Sequence, residues 1–167
     1  MIALFATIGA ETGVIGRGGK TPFDFPTAYM QMHQICRGGA VIIGRHTFEH
    51  FRSAGRLPSA SRLIVLSRKR EFRAPEAIAI VPTLAQAISH AGKGHTVIIG
   101  GPEVYEEAMP FADRLIITNV RAHTKGDAFF PAISDAEWRR TGSAQLSVGR
   151  GTPHPLEFAI FERCSPR

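Results

Sequence analysis

The sequence predicts an α/β protein with a mostly parallel central sheet, flanking helices and an antiparallel hairpin at its C-terminal edge. Three observations predict this fold. Short β-branched runs recur along the chain, helical segments separate most of them, and the last two runs have no helix between them. Strands that alternate with helices are typical of parallel sheets, whereas strands joined directly form antiparallel pairs.

Several of the predicted parallel strands are apolar without alternation, which is typical of strands buried on both faces. The predicted strands comprise residues 3–8, 40–43, 62–66, 78–81, 96–99 and 114–120. Residues 138–148 and 157–162 are predicted to form the edge hairpin. No linker-like segment divides the chain, so we expect residues 1–167 to form a single domain.

The predicted helices begin at residues that favour helix N-termini. Residues 26–36 and 102–109 each start with a proline, which the first turn of a helix tolerates. In residues 83–91 the apolar side chains share one face, and Thr83 is the expected N-cap. The glycine-rich segment 9–25 and residues 53–61 are predicted to be loops, and the first is of the kind that covers a binding site.

The composition indicates a soluble globular protein, with 44% hydrophobic and 20% charged residues. No apolar run approaches the roughly 20 residues of a membrane span, and residues 1–5 are expected to form a strand rather than a signal peptide. Two scattered cysteines, Cys36 and Cys164, favour a reducing, cytoplasmic location. No Cys/His spacing is typical of a metal site, so we expect no metal.

The net charge of +6 is compatible with either nucleic acid or a small anionic ligand. The densest basic cluster is residues 68–70, followed by Arg73, and it lacks the interleaved aromatics of nucleic-acid-binding surfaces. We therefore expect a phosphate-bearing small molecule and no nucleic-acid partner. A basic nucleic-acid-binding domain stays open as a rival class.

Candidate anion-binding segments follow three predicted strands, where α/β sheets bind ligands. They are residues 44–47, residues 67–70 and residues 100–102, which offer glycines, hydroxyls, arginines and helix N-termini. Each segment alone is also explained by a turn, a capped helix or a solvated loop. Together they fit a dinucleotide with a pyrophosphate and a 2′-phosphate, although the G-x-G-x-x-G fingerprint is absent.

The order of short motifs resembles the dihydrofolate reductase family over nearly the whole chain. The Gly-Arg-His-Thr motif at residues 44–47 and the Ile-Gly-Gly motif at residues 99–101 are specific in combination. Further matching segments are residues 1–6, 13–16, 22–26, 41–49, 57–58, 64–67, 97–101, 104–105, 118 and 126–127. The resemblance implies the dihydrofolate reductase-like fold, NADPH as cofactor and a dihydropterin as small-molecule substrate.

The resemblance also implies roles for individual residues. Gly100 and Gly101 would be joined by a cis peptide bond, as in this family. The implied cofactor-binding residues are Thr7, Ile15, Gly16, Gly44, Arg45, His46, Thr47, Leu66, Ser67, Arg68, Ile99, Gly100, Gly101, Glu103, Val104 and Tyr105. The implied substrate-binding residues are Phe5, Ala6, Ala28, Met32, Ile99, Tyr105 and Thr118.

The substrate side departs from the family pattern at several positions. Ala28 stands where the family has the acid that anchors the pterin, and Phe23 replaces the tryptophan of that segment. Ser61 stands where an arginine grips the glutamate tail, although Arg62 is adjacent. Asp24 is the nearest remaining acid, and we expect it to be the N-cap of the helix at residues 26–36 rather than the catalytic acid. The catalytic acid is thus unknown, and water is the expected proton source.

These departures favour an NADPH-dependent reductase that converts a 7,8-dihydropterin of the dihydromethanopterin type to the tetrahydropterin. Hydride would pass to the carbon of the C=N bond and a proton to its nitrogen. An ordinary dihydrofolate reductase with a displaced or missing acid is the alternative. A non-catalytic NADPH-binding protein is the alternative of another class, and the choice between monomer and homodimer stays open.

Overall fold

The computed structural model describes residues 1–164. The strands are β1 (Ile2–Gly9), β2 (Val14–Gly16), β3 (Ala40–Gly44), β4 (Arg62–Leu66), β5 (Ala79–Val81), β6 (Thr96–Ile98), β7 (Arg114–Val120), β8 (Ala128–Phe129), β9 (Trp138–Leu146) and β10 (Leu156–Arg163). Eight of them form one sheet in the order β5-β4-β3-β6-β1-β7-β10-β9. Pairing is parallel from β5 to β7, and β10 is antiparallel to both β7 and β9. The predicted α/β fold with an edge hairpin is confirmed.

Helices cover both faces of the sheet. They are α1 (Pro26–Cys36), α2 (Arg45–Ser53), α3 (Leu84–Ala91) and α4 (Pro102–Ala108), with a 3₁₀ turn at Met109–Phe111. Leu4 and Ile42 belong to the core cluster that includes residues of α3 and α4, whereas Phe5 and Ile43 belong to the cluster with α1 and α2. Successive strand residues thus face opposite cores, which explains why these strands are apolar without alternation.

The three predicted anion-binding segments meet at one edge of the sheet. Strands β4, β3 and β6 are direct neighbours and parallel, so their carboxyl ends lie side by side. Gly44 at the end of β3 pairs with Leu66 at the end of β4, and α2 begins at the next residue. The fold therefore brings to one edge of the sheet three segments that are spread over more than fifty residues of the sequence.

The glycine-rich segment between β1 and α1 is not a simple loop, so the prediction for residues 9–25 is wrong in part. Within it, β2 pairs with β8, and the backbone N–H of Gly18 donates to Asp127 Oδ2 at 2.9 Å. A Cβ at Gly126 would lie 2.3 Å from the carbonyl oxygen of Gly16, which requires a glycine at position 126. These contacts hold the segment against residues 126–129.

The turn between β9 and β10 docks on the start of α1. The Thr27 backbone N–H and hydroxyl both donate to the Gly151 carbonyl, at 3.2 and 2.8 Å. The Thr27 and Thr152 hydroxyls are 2.6 Å apart, and Thr152 is buried. The C-terminal hairpin thus fixes the first turn of α1, the helix that carries Ala28.

Helix α1 has the predicted bounds, while β5, β6 and β9 end or begin one or two residues inside the predicted ranges. Thr83 is the N-cap of α3, and its hydroxyl accepts from the Gln86 N–H at 3.3 Å. Across residues 1–164, none of the helices has the length and apolar character that a membrane span needs.

Candidate functional site

A cavity of about 940 Å³ opens at the carboxyl edge of the parallel strands. Of the residues predicted for the site, all but Asp24 and Thr118 lie on its wall. Those on the wall are Phe5, Ala6, Thr7, Ile15, Gly16, Ala28, Met32, Gly44, Arg45, His46, Thr47, Leu66, Ser67, Arg68, Ile99, Gly100, Gly101, Glu103, Val104 and Tyr105. Their assembly into one cavity supports the predicted grouping, while their individual roles stay predictions.

One part of the wall is built from closely packed backbone at the ends of β3 and β6. The Gly44 N–H donates to the Gly100 carbonyl at 2.6 Å, and the Gly100–Gly101 peptide bond is cis, as expected. A Cβ at Gly44 would lie 3.0 Å from Val104 Cγ2 and 3.2 Å from the Gly101 nitrogen. The absence of a side chain at position 44 therefore permits this approach of two backbone segments.

Cationic side chains surround this backbone. Arg45 donates to Glu49 at 2.9 Å and to His46 Nε2 at 2.8 Å. Arg68 lies 3.9 Å from Glu103, and both side chains are more than four-fifths exposed. An exposed ion pair of this length contributes little, so the Arg68 guanidinium is available to an anion that binds in the cavity.

The adjoining part of the wall is largely apolar and comes from β1, α1 and α2. Phe5, Ala28 and Met32 are buried there, together with Phe23. The buried Tyr105 hydroxyl donates to the Phe5 carbonyl at 2.6 Å, and burial raises the pKa of this phenol. This phenol is thus held neutral, and Ala28 contributes no ionisable group.

Thr118 lies behind this wall rather than on it. Its side chain is fully buried on β7, and its hydroxyl donates to Gln31 Oε1 of α1. The sequence prediction that Thr118 lines the pterin pocket is therefore not met directly. Gln31 went unnoticed in the sequence because 87 positions separate it from its partner.

Asp24 does not cap α1, and that prediction is wrong. The N-cap is Phe25, with no side-chain capping bond, and Asp24 instead forms an ion pair with Arg56. The Arg56 guanidinium also stacks 4.1 Å above the ring of Tyr29, which lines the cavity. Asp24 precedes the N-cap residue by one position, and its exposed side chain pairs with a cation from the loop after α2.

The Tyr29 hydroxyl is buried and has no hydrogen-bond partner within residues 1–164. Burial is the main cause that raises the pKa of this phenol. His50 of α2 also lines the cavity, and its Nε2 is likewise buried without a partner in the described chain. Neither residue was predicted, since a single aromatic or histidine on a helix gives no distinctive signal.

Ser61 occupies the position where an arginine for the substrate tail was expected, and the adjacent Arg62 does not take over that role. Ser61 hydrogen-bonds to the Gly39 carbonyl through both its N–H and its hydroxyl, each at 2.9 Å. Arg62 instead donates to the His90 carbonyl at the end of α3. Arg56, stacked on Tyr29, is thus the arginine that the fold brings next to the apolar wall.

Both cysteines have free thiols, so they do not pair. Cys36 is fully buried, and burial raises its pKa to about 12. Residues 1–164 contain no cluster of three or more His, Cys, Asp or Glu side chains arranged to hold a metal ion. A cytoplasmic location stays a prediction.

Comparisons with known proteins all identify dihydrofolate reductases as similar to this chain. The family model described as dihydrofolate reductase matches residues 1–163. The type 3 dihydrofolate reductase of Salmonella typhimurium is 30% identical, with 98% of each chain covered. That of Neisseria gonorrhoeae is 36% identical over 83% of this chain and 85% of its own.

A solved structure agrees with these relatives. Dihydrofolate reductase from Enterococcus faecalis, complexed with NADP(H) and RAB-propyl, superposes with a TM-score of 0.85 at 27% identity, covering 99% of this chain and 97% of the other. The family model, the type 3 relative and the solved structure each match nearly the full length of this chain. The chain belongs to the dihydrofolate reductase family.

Proposed function

We propose that this chain is an NADPH-dependent dihydrofolate reductase. It delivers a hydride to the carbon of the C=N bond of 7,8-dihydrofolate, and the neighbouring nitrogen takes up a proton. The observation that carries the proposal is one cavity that joins cationic strand ends to an apolar slot. The dihydromethanopterin-type substrate expected from the sequence gains no support from the relatives, which are named dihydrofolate reductases.

The residues at the strand ends fit NADPH, which supplies the hydride when it is bound. Helix α2 begins at Arg45 on the cavity wall, and no side chain caps its first turn, so its backbone N–H groups are available to a phosphate. Ser67 and Arg68 offer a hydroxyl and an exposed guanidinium for a 2′-phosphate. This combination supports NADPH over NADH as the natural cofactor.

The apolar slot fits a flat heterocycle. Phe5, Ala28 and Met32 would bury its faces and exclude bulk water, so the transferred hydride is not lost to solvent. Because Ala28 has no proton to give and Asp24 is paired with Arg56, water would protonate the nitrogen. The rate is then limited by protonation more than in a relative with an acid at this position.

Arg56 is the candidate partner for the carboxylates of the substrate tail. It lies over Tyr29 next to the apolar wall, and its side chain is 40% exposed. A tail carboxylate would compete with Asp24 for the same guanidinium, which predicts weaker tail binding than an unpaired arginine gives.

The test is NADPH oxidation by the purified protein with dihydrofolate and dihydromethanopterin side by side. We expect turnover of dihydrofolate with the higher kcat/KM. A higher kcat/KM for dihydromethanopterin would instead support the dihydromethanopterin-type substrate that the sequence predicts. Tight NADPH binding without turnover of either pterin would instead identify a non-catalytic NADPH-binding protein. That alternative follows from the absence of an acid at Ala28.

A further inference from the structure

The wall of the apolar slot carries one polar group that the proposed reaction has not used, the hydroxyl of Tyr29. Tyr29 follows Ala28 on α1, and both residues line the cavity. The hydroxyl is buried and has no hydrogen-bond partner within residues 1–164. A buried hydroxyl without a partner destabilises the folded chain, so its presence on a cavity wall points to a ligand that supplies the partner.

The ring of Tyr29 is held in place from two sides. It meets Phe51 of α2 edge to face, with ring centroids 6.2 Å apart, and Phe51 also lines the cavity. The Arg56 guanidinium lies 4.1 Å from the centroid of the Tyr29 ring. The Arg56 backbone N–H donates to the Phe51 carbonyl at 2.8 Å, which closes this set of contacts. The position of the hydroxyl is therefore set before a ligand binds.

The charged groups next to the hydroxyl belong to side chains that can move. Burial raises the pKa of the Tyr29 hydroxyl, and Arg56 and Asp24 are the charged groups that act on it. Arg56 and Asp24 pair with each other, and their side chains are 40% and 58% exposed. An anion that draws Arg56 away from Asp24 can thus uncover the hydroxyl without disturbing the core.

A substrate that extends from the slot to Arg56 has to pass Tyr29. The proposed function sets the pterin ring against Ala28 and the tail carboxylate on Arg56, whose guanidinium lies over the Tyr29 ring. In dihydrofolate an arylamide joins these two parts, and a single carbon separates the amide nitrogen from the nearer carboxylate. The amide carbonyl is therefore the acceptor that comes within reach of the hydroxyl when the carboxylate binds Arg56.

We propose that Tyr29 is a specificity-determining residue whose hydroxyl donates to the amide carbonyl between the aryl ring and the tail of dihydrofolate. The inference rests on the proposed function and on the assignment of Arg56 to the tail. It predicts selection for pterins that carry an arylamide over pterins that lack one. It also predicts that the hydroxyl lowers the stability of the free protein, because its hydrogen bond is completed only by the substrate.

The experiment compares Tyr29→Phe with wild type, since this change removes the hydroxyl and keeps the ring contacts with Phe51 and Arg56. Dissociation constants are measured by fluorescence for dihydrofolate, for NADPH and for 6-methyl-7,8-dihydropterin, which has the same ring but no arylamide. The melting temperature Tm of the free protein is measured as well. Ser143→Ala is the matched control, because it removes an exposed hydroxyl away from the cavity wall.

Tyr29→Phe should weaken dihydrofolate binding about fivefold to tenfold, the effect of one neutral hydrogen bond. Binding of 6-methyl-7,8-dihydropterin and of NADPH should stay as in wild type. The Tm should rise by about 2–4 °C, because the variant no longer buries a hydroxyl without a partner. A hydroxyl with a merely structural role would lower the Tm when it is removed.

The outcomes separate this inference from the proposed function. If wild type turns over dihydrofolate and Tyr29→Phe binds it equally well, the inference is overturned and the proposed function stands. If Tyr29→Phe weakens dihydrofolate and 6-methyl-7,8-dihydropterin to the same extent, or lowers the Tm, the hydroxyl only supports the fold and the inference again fails. If wild type binds NADPH but turns over no dihydrofolate, both fail.

Discussion

The two parts of the cavity are built by different means. The cationic part depends on backbone, since the ends of β3 and β6 approach each other at Gly44 and Gly100 with a hydrogen bond of 2.6 Å. The apolar part depends on side chains of α1, α2 and β1, such as Phe5, Ala28 and Met32. A backbone site tolerates no added side chain, whereas a side-chain site changes its chemistry with one substitution. In this chain, a substitution on the apolar part can therefore change the ligand chemistry without disturbing the cationic part.

The largest effect is expected from restoring an acid in the apolar part. Ala28→Asp should raise kcat/KM for dihydrofolate roughly 100-fold, since a positioned acid–base group typically contributes at least that factor. The gain should be greatest at acidic to neutral pH, because burial raises the pKa of the new carboxyl and keeps part of it protonated. The measurement is the pH profile of kcat/KM for both proteins.

Ala28→Asn is the matched control, because it adds a side chain of nearly the same size to the same buried position without an ionisable group. A rate for Ala28→Asp at or below that of wild type at every pH would show that position 28 does not face the substrate.

One added methyl group at Gly44 should be enough to weaken cofactor binding in the cationic part of the cavity. Gly44→Ala should weaken NADPH binding about 30-fold, because its Cβ would press on Val104 and on the Gly101 nitrogen at 3.0 and 3.2 Å, and such overpacking typically costs 1–3 kcal/mol. Titration of NADPH by fluorescence measures the effect. Gly149→Ala is the control, since nothing lies within 4 Å of its Cβ. Wild-type affinity in Gly44→Ala would mean that the strand end is only a turn.

The cationic part should also set the choice of cofactor. Arg68→Ala is expected to weaken NADPH about tenfold and leave NADH almost unchanged, in line with the loss of one charged hydrogen bond. Dissociation constants for both cofactors, in wild type and variant, provide the comparison. Arg70→Ala serves as the control, because Arg70 is exposed in the same segment but is not on the cavity wall. Equal affinity of wild type for NADPH and NADH would contradict the assignment.

The smallest effects are expected beside the apolar wall. Arg56→Ala should raise the KM for dihydrofolate by about threefold to fivefold and leave kcat unchanged, because a partly exposed ion pair contributes about 1 kcal/mol or less. Asp24→Asn should lower the KM slightly by freeing the guanidinium from its ion pair. Steady-state kinetics distinguish these outcomes. Total loss of turnover in Asp24→Asn would make Asp24 the missing acid.

The sequence predicted elements whose signal is local. The bounds of α1 agree because a proline at its first position and an apolar face mark it, and the buried strands are recognisable from uninterrupted apolar runs. Strand ends predicted the part of the cavity wall at residues 44–47, 67–69 and 100–102, and the resemblance to the family supplied the other predicted residues. The pairing of β2 with β8 was missed because strands of three and two residues have almost no periodicity.

Side-chain partnerships between distant positions could not be predicted. Asp24 has the local pattern of a helix cap, and its real partner, Arg56, is 32 positions away. The Gln31–Thr118 pair joins α1 to β7 across most of the chain. Local propensity is a weak guide where a tertiary ion pair or hydrogen bond competes with a cap. The substrate side is therefore where sequence reasoning was least complete.

Hydride transfer is tested with NADPH in which both hydrogens at the reactive carbon of the nicotinamide are replaced by deuterium. Wild-type protein is incubated with this cofactor and dihydrofolate, and the product is analysed by mass spectrometry. We expect tetrahydrofolate with one deuterium on carbon, formed in a one-to-one ratio to the NADPH consumed, by a protein with alanine at position 28. NADPH that stays bound and unconsumed in the presence of dihydrofolate would contradict it.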